Sequence, residues 1–497
     1  MLKIKPYQFW FVTGSQPLYG EETILEVEAN SKKIVEGLNG AGVLPYPIKF
    51  KQVVTTADSI HRLALEANAD EDCAGVITWM HTFSPAKSWI AGLKALQTPL
   101  LHLHTQFNRD VPWETIDMDF MNTNQAAHGD REYGFIGTRL GLGRKVIVGH
   151  WENQHVINQL ATWMKTAISV KEGTRIRVAR FGDNMRNVAV TDGDKIEAQI
   201  KFGWTVDYYG IGDLVEEINQ VSSEALEQLY KEYQSLYHLP EQASEHGPIR
   251  DAILYQAKIE LALKSFLSKG SYNAFTTNFE DLHGMKQLPG LAAQRLMAQG
   301  YGFAGEGDWR TAALTRLMKV ISDNKATSFM EDYTYHLEPD NEMILGSHML
   351  EICPTVSATT TKPKIVVNPL GIGGKEDPAR LVFDGKAGEA INVSLVELGG
   401  RYRLIINEIK AEEPKIDTPH LPVAKVLWKP EPSLSESATA WIYAGGAHHT
   451  VLSFEVSTEQ LVDFAEMVDI ECVVIDKDLN LRQFKNELRW NEIAFRK

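Results

Sequence analysis

Glu306, Glu331, His348 and the adjacent pair His448 and His449 are the side chains of this sequence best suited to do chemistry. Glu306 sits in Gly-Glu-Gly-Asp at 305–308, Glu331 in Met-Glu-Asp at 330–332 and His348 in Gly-Ser-His-Met at 346–349. The histidine pair lies in Gly-Gly-Ala-His-His-Thr at 445–450. Each stands beside glycine or in a brief polar break within an apolar run. Glycine lets the backbone approach a ligand and carries an acidic side chain into a pocket without a bulky neighbour. Two carboxylates with one or two imidazoles make an oxygen and nitrogen donor set. Such a set suits a divalent metal of intermediate hardness such as Mn²⁺ and argues against a thiolate site. The spacing is not a helix-face interval, so these groups need a fold to bring them together.

Other polar features are weighed beside these. His102 and His104 alternate with leucine and share one face of a strand. No carboxylate or third histidine is close in sequence, so they read as packed histidines rather than as a metal pair. The run 119–134 is dense in polar groups. It reads either as a solvated amphipathic helix start or as a segment that reaches an active site, including that of a neighbouring subunit. Gly300, Gly302 and Gly305 match a GxGxxG pattern. A dinucleotide fingerprint needs a strand before it, whereas 288–299 reads as a helix, and Glu306 would set a negative charge against a pyrophosphate.

The elements that must position these residues come from a 497-residue chain, long enough for two to four domains. Its 44% hydrophobic and 23% charged content is ordinary for a globular protein. A net charge of −15 removes nucleic acid from the partners, because phosphate binding needs a basic face. Cys73, Cys353 and Cys472 are far apart and set in apolar runs, which predicts buried thiols in a reducing compartment. The apolar stretch at 7–14 is too short for a signal peptide, and no run approaches the ~20 apolar residues of a membrane span. The expectation is a cytoplasmic protein with no membrane association.

Strand and helix patterns alternate over 9–106. Apolar runs at 9–14, 48–54, 74–80 and 99–105 are separated by helical patterns, which predicts a doubly wound parallel sheet. Ligands of such sheets sit at the carboxyl ends of the strands. The loops there, 14–20, 81–85 and 105–108, are polar or aromatic and suit a hydroxyl-rich ligand. A second α/β unit opens at 175–185, continues through 204–210 and a long helical region over 213–269, and reaches a buried strand at 274–279. After about 325 the texture changes to strands at 364–368, 380–383, 391–398 and 401–406, with Gly399 and Gly400 forming a tight hairpin. One helix is expected at 458–468. The predicted domains are an N-terminal α/β domain over 1–170, a central α/β domain over 171–325 and a β-rich domain over 326–497.

Longer blocks carry a resemblance. Phe-Val-Thr-Gly-Ser-Gln-Pro-Leu-Tyr-Gly at 11–20, Thr-Trp-Met-His-Thr-Phe-Ser-Pro at 78–85, His-Thr-Gln-Phe-Asn at 104–108 and Arg-Phe-Gly-Asp-Asn-Met at 180–185 resemble L-arabinose isomerase. So do Phe-Glu-Asp-Leu-His-Gly-Met-Lys-Gln-Leu-Pro at 279–289, Gly-Glu-Gly-Asp-Trp at 305–309, Phe-Met-Glu-Asp-Tyr-Thr-Tyr-His at 329–336 and the blocks at 445–450 and 489–492. The resemblance runs end to end. It implies two Rossmann-like α/β domains and a C-terminal β-rich domain, related to fucose isomerase. It implies one Mn²⁺ per subunit on Glu306, Glu331, His348 and His449, with His448 a neighbour of the metal or the substrate. It implies a sugar pocket lined by Gln16, Leu18, Tyr19, Phe83, Met185, Phe279, Tyr335 and Ile372. Gln125 and His128 would enter from the next subunit of a homo-oligomer, a hexamer or tetramer.

The implied reaction is aldose–ketose isomerisation of L-arabinose to L-ribulose, with D-galactose to D-tagatose beside it, through an enediol. Glu306 and Glu331 are the expected acid/base pair. The same clefts admit two alternatives. One is a sugar-binding regulatory module, and the other is an isomerase for another aldose such as L-fucose.

Overall fold

The computed structural model describes residues 1–495 apart from 245, 359–361, 372 and 416. They form two compact units. One comprises Ile4–Lys171 with Gln460–Asp469, and the other Met1–Lys3, Glu172–Glu459 and Ile470–Lys497.

The first unit is built on β1 (Gln8–Gly14), β2 (Ile48–Val54), β3 (Cys73–Met80), β4 (Leu100–His104) and β5 (Lys145–Val148). All pair in parallel in the order β2-β1-β3-β4-β5. Every residue of β3 is buried, which is why it reads as an unbroken apolar run instead of an alternation. Helix Gly20–Gly40 turns Val27, Ile34 and Leu38 inward. Helix Ala57–Ala69 starts at a reciprocal Thr56–Ser59 capping box. The strand order reverses between β1 and β3, and the loops after those two strands form the crevice where such sheets bind ligands.

The second unit holds a four-stranded parallel sheet and a barrel. The sheet is β6 (Arg177–Phe181), β7 (Thr205–Tyr209), β8 (Ala274–Thr277) and β9 (Gly302–Ala304), ordered β7-β6-β8-β9. Helix Gly290–Ala298, not a strand, precedes the glycines of 300–305, which removes the dinucleotide reading as expected. The single long helical region expected over 213–269 is instead three helices, Ile211–Gln220, Ser223–Leu236 and Pro248–Lys269. Ser222 caps the second by accepting from Ala225 N, and Pro248 opens the third at a position where a missing N–H costs nothing.

The β-rich part begins with β10 (Thr327–His336), β11 (Met343–Ser347), β12 (Lys364–Val367) and β13 (Ala379–Val382). It continues with β14 (Gly388–Glu397), β15 (Tyr402–Glu412), β16 (Val426–Pro430), β17 (His449–Ser453) and β18 (Glu471–Ile475). Six strands run β14-β17-β10-β11-β16-β15, and β14 also pairs with β15, so they close into a barrel. Closure removes the free edges that an open sheet would expose. The expected hairpin at 398–401 is present. Gly399 and Gly400 adopt φ 70° and 86°. That is the mirror-image turn that matches the twist of the strands it joins. Cys73 and Cys353 are buried, Cys472 is half-buried, and no disulfide joins them. No described helix is long and apolar enough to cross a membrane.

A buried ion pair fixes helix Gly290–Ala298, which leads into β9. The Arg295 guanidinium donates to Glu260 at 2.9 and 3.2 Å and to Glu232 at 2.5 Å, and Tyr233 donates to Glu260 at 2.7 Å. Replacing Arg295 by Met strands the Glu260 carboxylate in the interior and is expected to cost about 3–5 kcal/mol. Changing Glu260 to Leu in the same chain should recover most of it. Urea unfolding midpoints check both, and an Arg295→Met loss below about 1 kcal/mol would mean that Glu260 finds water.

Candidate active site

Glu306 lies two residues after the end of β9 and adopts φ 61°. Side-chain-bearing residues seldom take that conformation. Its neighbours hold it there. Gly307 N donates to Thr277 O and Met185 N to Glu306 O, both at 3.0 Å. At Gly305 a Cβ would lie 2.8 Å from His348 Cε1. The glycine expected to admit a ligand therefore makes room for an imidazole. Glu331 on β10 lies opposite His449 on β17 and opposite Ser347 on β11, with His348 one residue further. Barrel register puts these groups together, since directly opposed residues share a face. Phe329 supports both imidazoles, its ring centroid 4.9 Å from that of His348 and 5.1 Å from that of His449.

Glu306 Oε2 is 3.7 Å from His449 Nε2 and 3.6 Å from His448 Nε2. Glu306 Oε2 and His449 Nε2 are buried without a hydrogen-bond partner among the described residues. The Nδ1 atoms of the two buried imidazoles are taken. His449 Nδ1 bonds Asp308 Oδ2 at 3.0 Å, and His348 Nδ1 bonds Glu351 Oε2 at 2.5 Å. A carboxylate at Nδ1 fixes the proton there and leaves the Nε2 lone pair free, the arrangement that metal-binding histidines use. The donor set therefore fits a divalent cation: a lone-pair nitrogen and a carboxylate oxygen, both buried, lie 3.7 Å apart.

Burial pushes the Glu306 carboxyl up, but His448, His449 and His348 outweigh it and hold it below the usual carboxylate range. Burial also opposes charge on His348, and Glu351 beside it wins, raising that imidazole, so a cation at its Nε2 would compete with a proton there. Asp308, fully buried, is held low by His449 and Arg310 against its own desolvation. Asp308 and Glu351 were absent from the sequence-based set. The signal available was a carboxylate two residues after Glu306 and another three after His348.

Of the expected sugar-lining residues in this unit, two come with the cluster. The Phe279 ring stacks on His348, with centroids 5.9 Å apart and planes 18° from parallel. Met185 is tied to Glu306 through its backbone. Tyr335 stands apart. A β-bulge between Asp332 and Thr334 inserts one residue and reverses the alternation of β10. Tyr335 lies opposite Ile344 in the register and, half exposed, lines a cleft with Met343, Leu345 and Leu427. Ile372 lies outside the described residues.

The first unit gathers the remaining residues at its own strand ends. Ser15 and Thr82, from the loops after β1 and β3, share a hydrogen bond of 2.7 Å. Gln125 Nε2 donates to Tyr19 Oη at 3.2 Å, and the His128 ring lies 5.1 Å from that of Phe83. Gln16 is half-buried beside them in sequence, and Leu18 is 83% exposed. Gln125 and His128 share one cluster with Tyr19 and Phe83 of the same chain, because the π-helical turn Ala126–Asp130 packs on the loop after β3. A site that takes His128 from a neighbour takes Phe83 and Tyr19 with it.

The close approach at Gly305 is testable. Gly305→Ala is expected to displace the His348 ring and to cost about 1–3 kcal/mol, the usual scale for overpacking. A crystal structure and thermal unfolding of the variant check this. An unmoved ring with an unchanged midpoint would contradict the geometry.

Comparison with known proteins agrees along the whole chain. Residues 3–175 match the L-arabinose isomerase N-terminal domain, 177–324 the central domain and 326–471 the C-terminal domain. An L-arabinose isomerase of Geobacillus stearothermophilus is 65% identical over 496 residues, covering 100% of both chains. One of Bacillus subtilis (strain 168) is 60% identical over 496 residues, covering 100% of this chain and 99% of its own. Full-length identity of this order, on a chain whose carboxylates and imidazoles converge as described, places the protein in the L-arabinose isomerase family.

Proposed function

We propose that this protein is a Mn²⁺-dependent aldose–ketose isomerase that converts L-arabinose to L-ribulose and, beside it, D-galactose to D-tagatose. The carrying observation is the pair of unpartnered buried atoms, Glu306 Oε2 and His449 Nε2, which with His448 bring three ligand atoms to one point, while Glu331 lies opposite His449 in the barrel register. A sugar-binding module would have no need for a buried carboxylate facing an imidazole that a second carboxylate orients. L-Arabinose and D-galactose share their configuration from C2 to C4, so a site that reads those hydroxyls accepts both.

Bound between these donors, Mn²⁺ would act as a Lewis acid for the charge that develops on the sugar oxygens. The chain's own residues do the rest. Isomerisation carries a proton from C2 to C1 and another between O2 and O1 through an enediol. Glu306 and Glu331 divide that work, one entering as carboxylate and the other as acid, which typically contributes ~10²–10⁴-fold. His448, half-buried beside Glu306, is placed to hydrogen-bond a sugar hydroxyl. Phe279 and Met185 wall the reacting end, and Gln16, Tyr19, Phe83, Gln125 and His128 supply a second polar and aromatic cluster.

The proposed assembly is a homo-hexamer in the cytoplasm. Its support is the exposure of Leu18, Trp113, Met118 and Phe135, large apolar side chains that an isolated chain leaves in water. Three cysteines outside any disulfide suit a reducing compartment.

Chelation should abolish ketose formation from L-arabinose, and Mn²⁺ should restore it better than Ca²⁺, which prefers more oxygen ligands and longer bonds. Full turnover by metal-free protein would sink the metal assignment, and a higher rate with L-fucose than with L-arabinose would redirect the substrate. Glu306→Gln and Glu331→Gln should keep measurable sugar and Mn²⁺ binding while losing ~10²-fold or more in turnover. Reaction in D₂O should leave deuterium at C1 of the ketose. A product without solvent deuterium would indicate a direct hydride shift and leave both glutamates as ligands alone.

A further inference from the structure

We propose that His102, His104 and Asp130 form a second divalent-cation site, of the kind that zinc or cobalt occupies. In sequence the two histidines had no carboxylate nearby. The fold brings one from 26 residues downstream of His104. His102 and His104 project from one face at the carboxyl end of β4, and Asp130 closes the π-helical turn Ala126–Asp130. His104 Nδ1 lies 2.6 Å from Asp130 Oδ2, and His102 Nε2 lies 3.1 Å from Asp130 Oδ1. One ligand atom from each residue can thus face a common point.

Hydrogen bonding leaves this cluster incomplete. His102 is 3% and Asp130 2% exposed, yet His102 Nε2 and Asp130 Oδ1 have no hydrogen-bond partner among the described residues. They are close enough to bond and misaligned for it. Two ligands at about 2.1 Å from one ion lie about 3–3.4 Å apart for angles between a right angle and the tetrahedral one, which brackets the 3.1 Å found. A buried orphan pair at that distance is accounted for by a cation that takes both lone pairs. The His102 ring is held for this by an edge contact with Tyr133, with centroids 4.9 Å apart, and Tyr133 in turn donates to Thr78 at 3.1 Å.

Two imidazole nitrogens and one carboxylate oxygen, with no sulfur, select a metal of the zinc or cobalt class over calcium or magnesium. The His104 side chain is 26% exposed, which gives an entry path. The same opening leaves room for water as a fourth ligand. Occupation would clamp β4 to the turn that carries His128. None of this depends on the reaction proposed above.

The test uses the full-length protein, stripped by chelator and titrated with Co²⁺ in equilibrium dialysis, with the visible d–d absorption recorded. Wild type is expected to bind two Co²⁺ per chain. Asp130→Asn should bind one, and a Glu306→Gln/His449→Gln chain should also keep one, with different spectra for the two remaining ions. If Asp130→Asn fails to fold by circular dichroism, His102→Leu replaces it. Two ions retained in a folded Asp130→Asn or His102→Leu chain would overturn the proposal. So would a wild type binding one ion that only the Glu306→Gln/His449→Gln change removes, for then the cluster is a hydrogen-bonded clamp alone. A wild type whose single ion is lost with Asp130→Asn would support this site and count against the metal at Glu306.

Discussion

The Asp308–His449 hydrogen bond joins the two halves of the candidate active site. Asp308 belongs to the loop after β9 and caps helix Trp309–Ile321, accepting from Thr311 N at 3.0 Å and Thr311 Oγ1 at 2.7 Å. His449 belongs to barrel strand β17, opposite Glu331. One carboxylate thus fixes a helix start, an imidazole tautomer and the distance between a parallel-sheet loop and a barrel strand. Hydrogen bonds to charged groups contribute about 1.5–3 kcal/mol each. That is comparable with the roughly 1–3 kcal/mol cost of holding Glu306 in the left-handed region two residues earlier. The strained backbone persists because the capped helix and the barrel both hold the loop.

The same logic explains why the site is dense in buried carboxylates. Asp308 and Glu351 do not need to reach a ligand. Each occupies the Nδ1 side of a histidine so that the Nε2 side is left bare. An imidazole without such a partner would rotate or change tautomer and lose its aim. Phe329, packed against both rings, restrains the same motion through contact instead of charge. Closure of the barrel adds rigidity, because every barrel strand that carries a site residue is paired on both sides.

The parallel sheets serve the chemistry differently. Each offers a crevice where strand order reverses, between β1 and β3 and between β6 and β8. The second crevice carries Met185 and Phe279 next to Glu306. The first carries Tyr19 and Phe83, joined by Gln125 and His128 on a turn that packs against them. Aromatic faces with a few hydrogen-bonding groups suit sugar rings, whose C–H surfaces and hydroxyls need both.

Local physics was legible in the chain. Short apolar runs marked the parallel strands almost to the residue, and Gly399-Gly400 marked its hairpin, since both depend only on neighbouring residues and allowed dihedrals. Residue type identified the donors, because Glu306, Glu331, His348 and His449 offer oxygen and nitrogen beside glycine in polar breaks. Blocks of resemblance identified the family. What needed the tertiary structure was non-local or hung on a single inserted residue. The bulge at 332–334 shifts the register of Tyr335 by one residue, and no composition signal marks it. Caps at Ser222 and Pro248 cut one helical pattern into three. Barrel closure, the pairing of Glu331 with His449, and the meeting of Asp130 with His102 and His104 depend on register between segments far apart in sequence. Sequence periodicity fixes which face a residue occupies along its own element, whereas the partner across from it is chosen only when the chain packs.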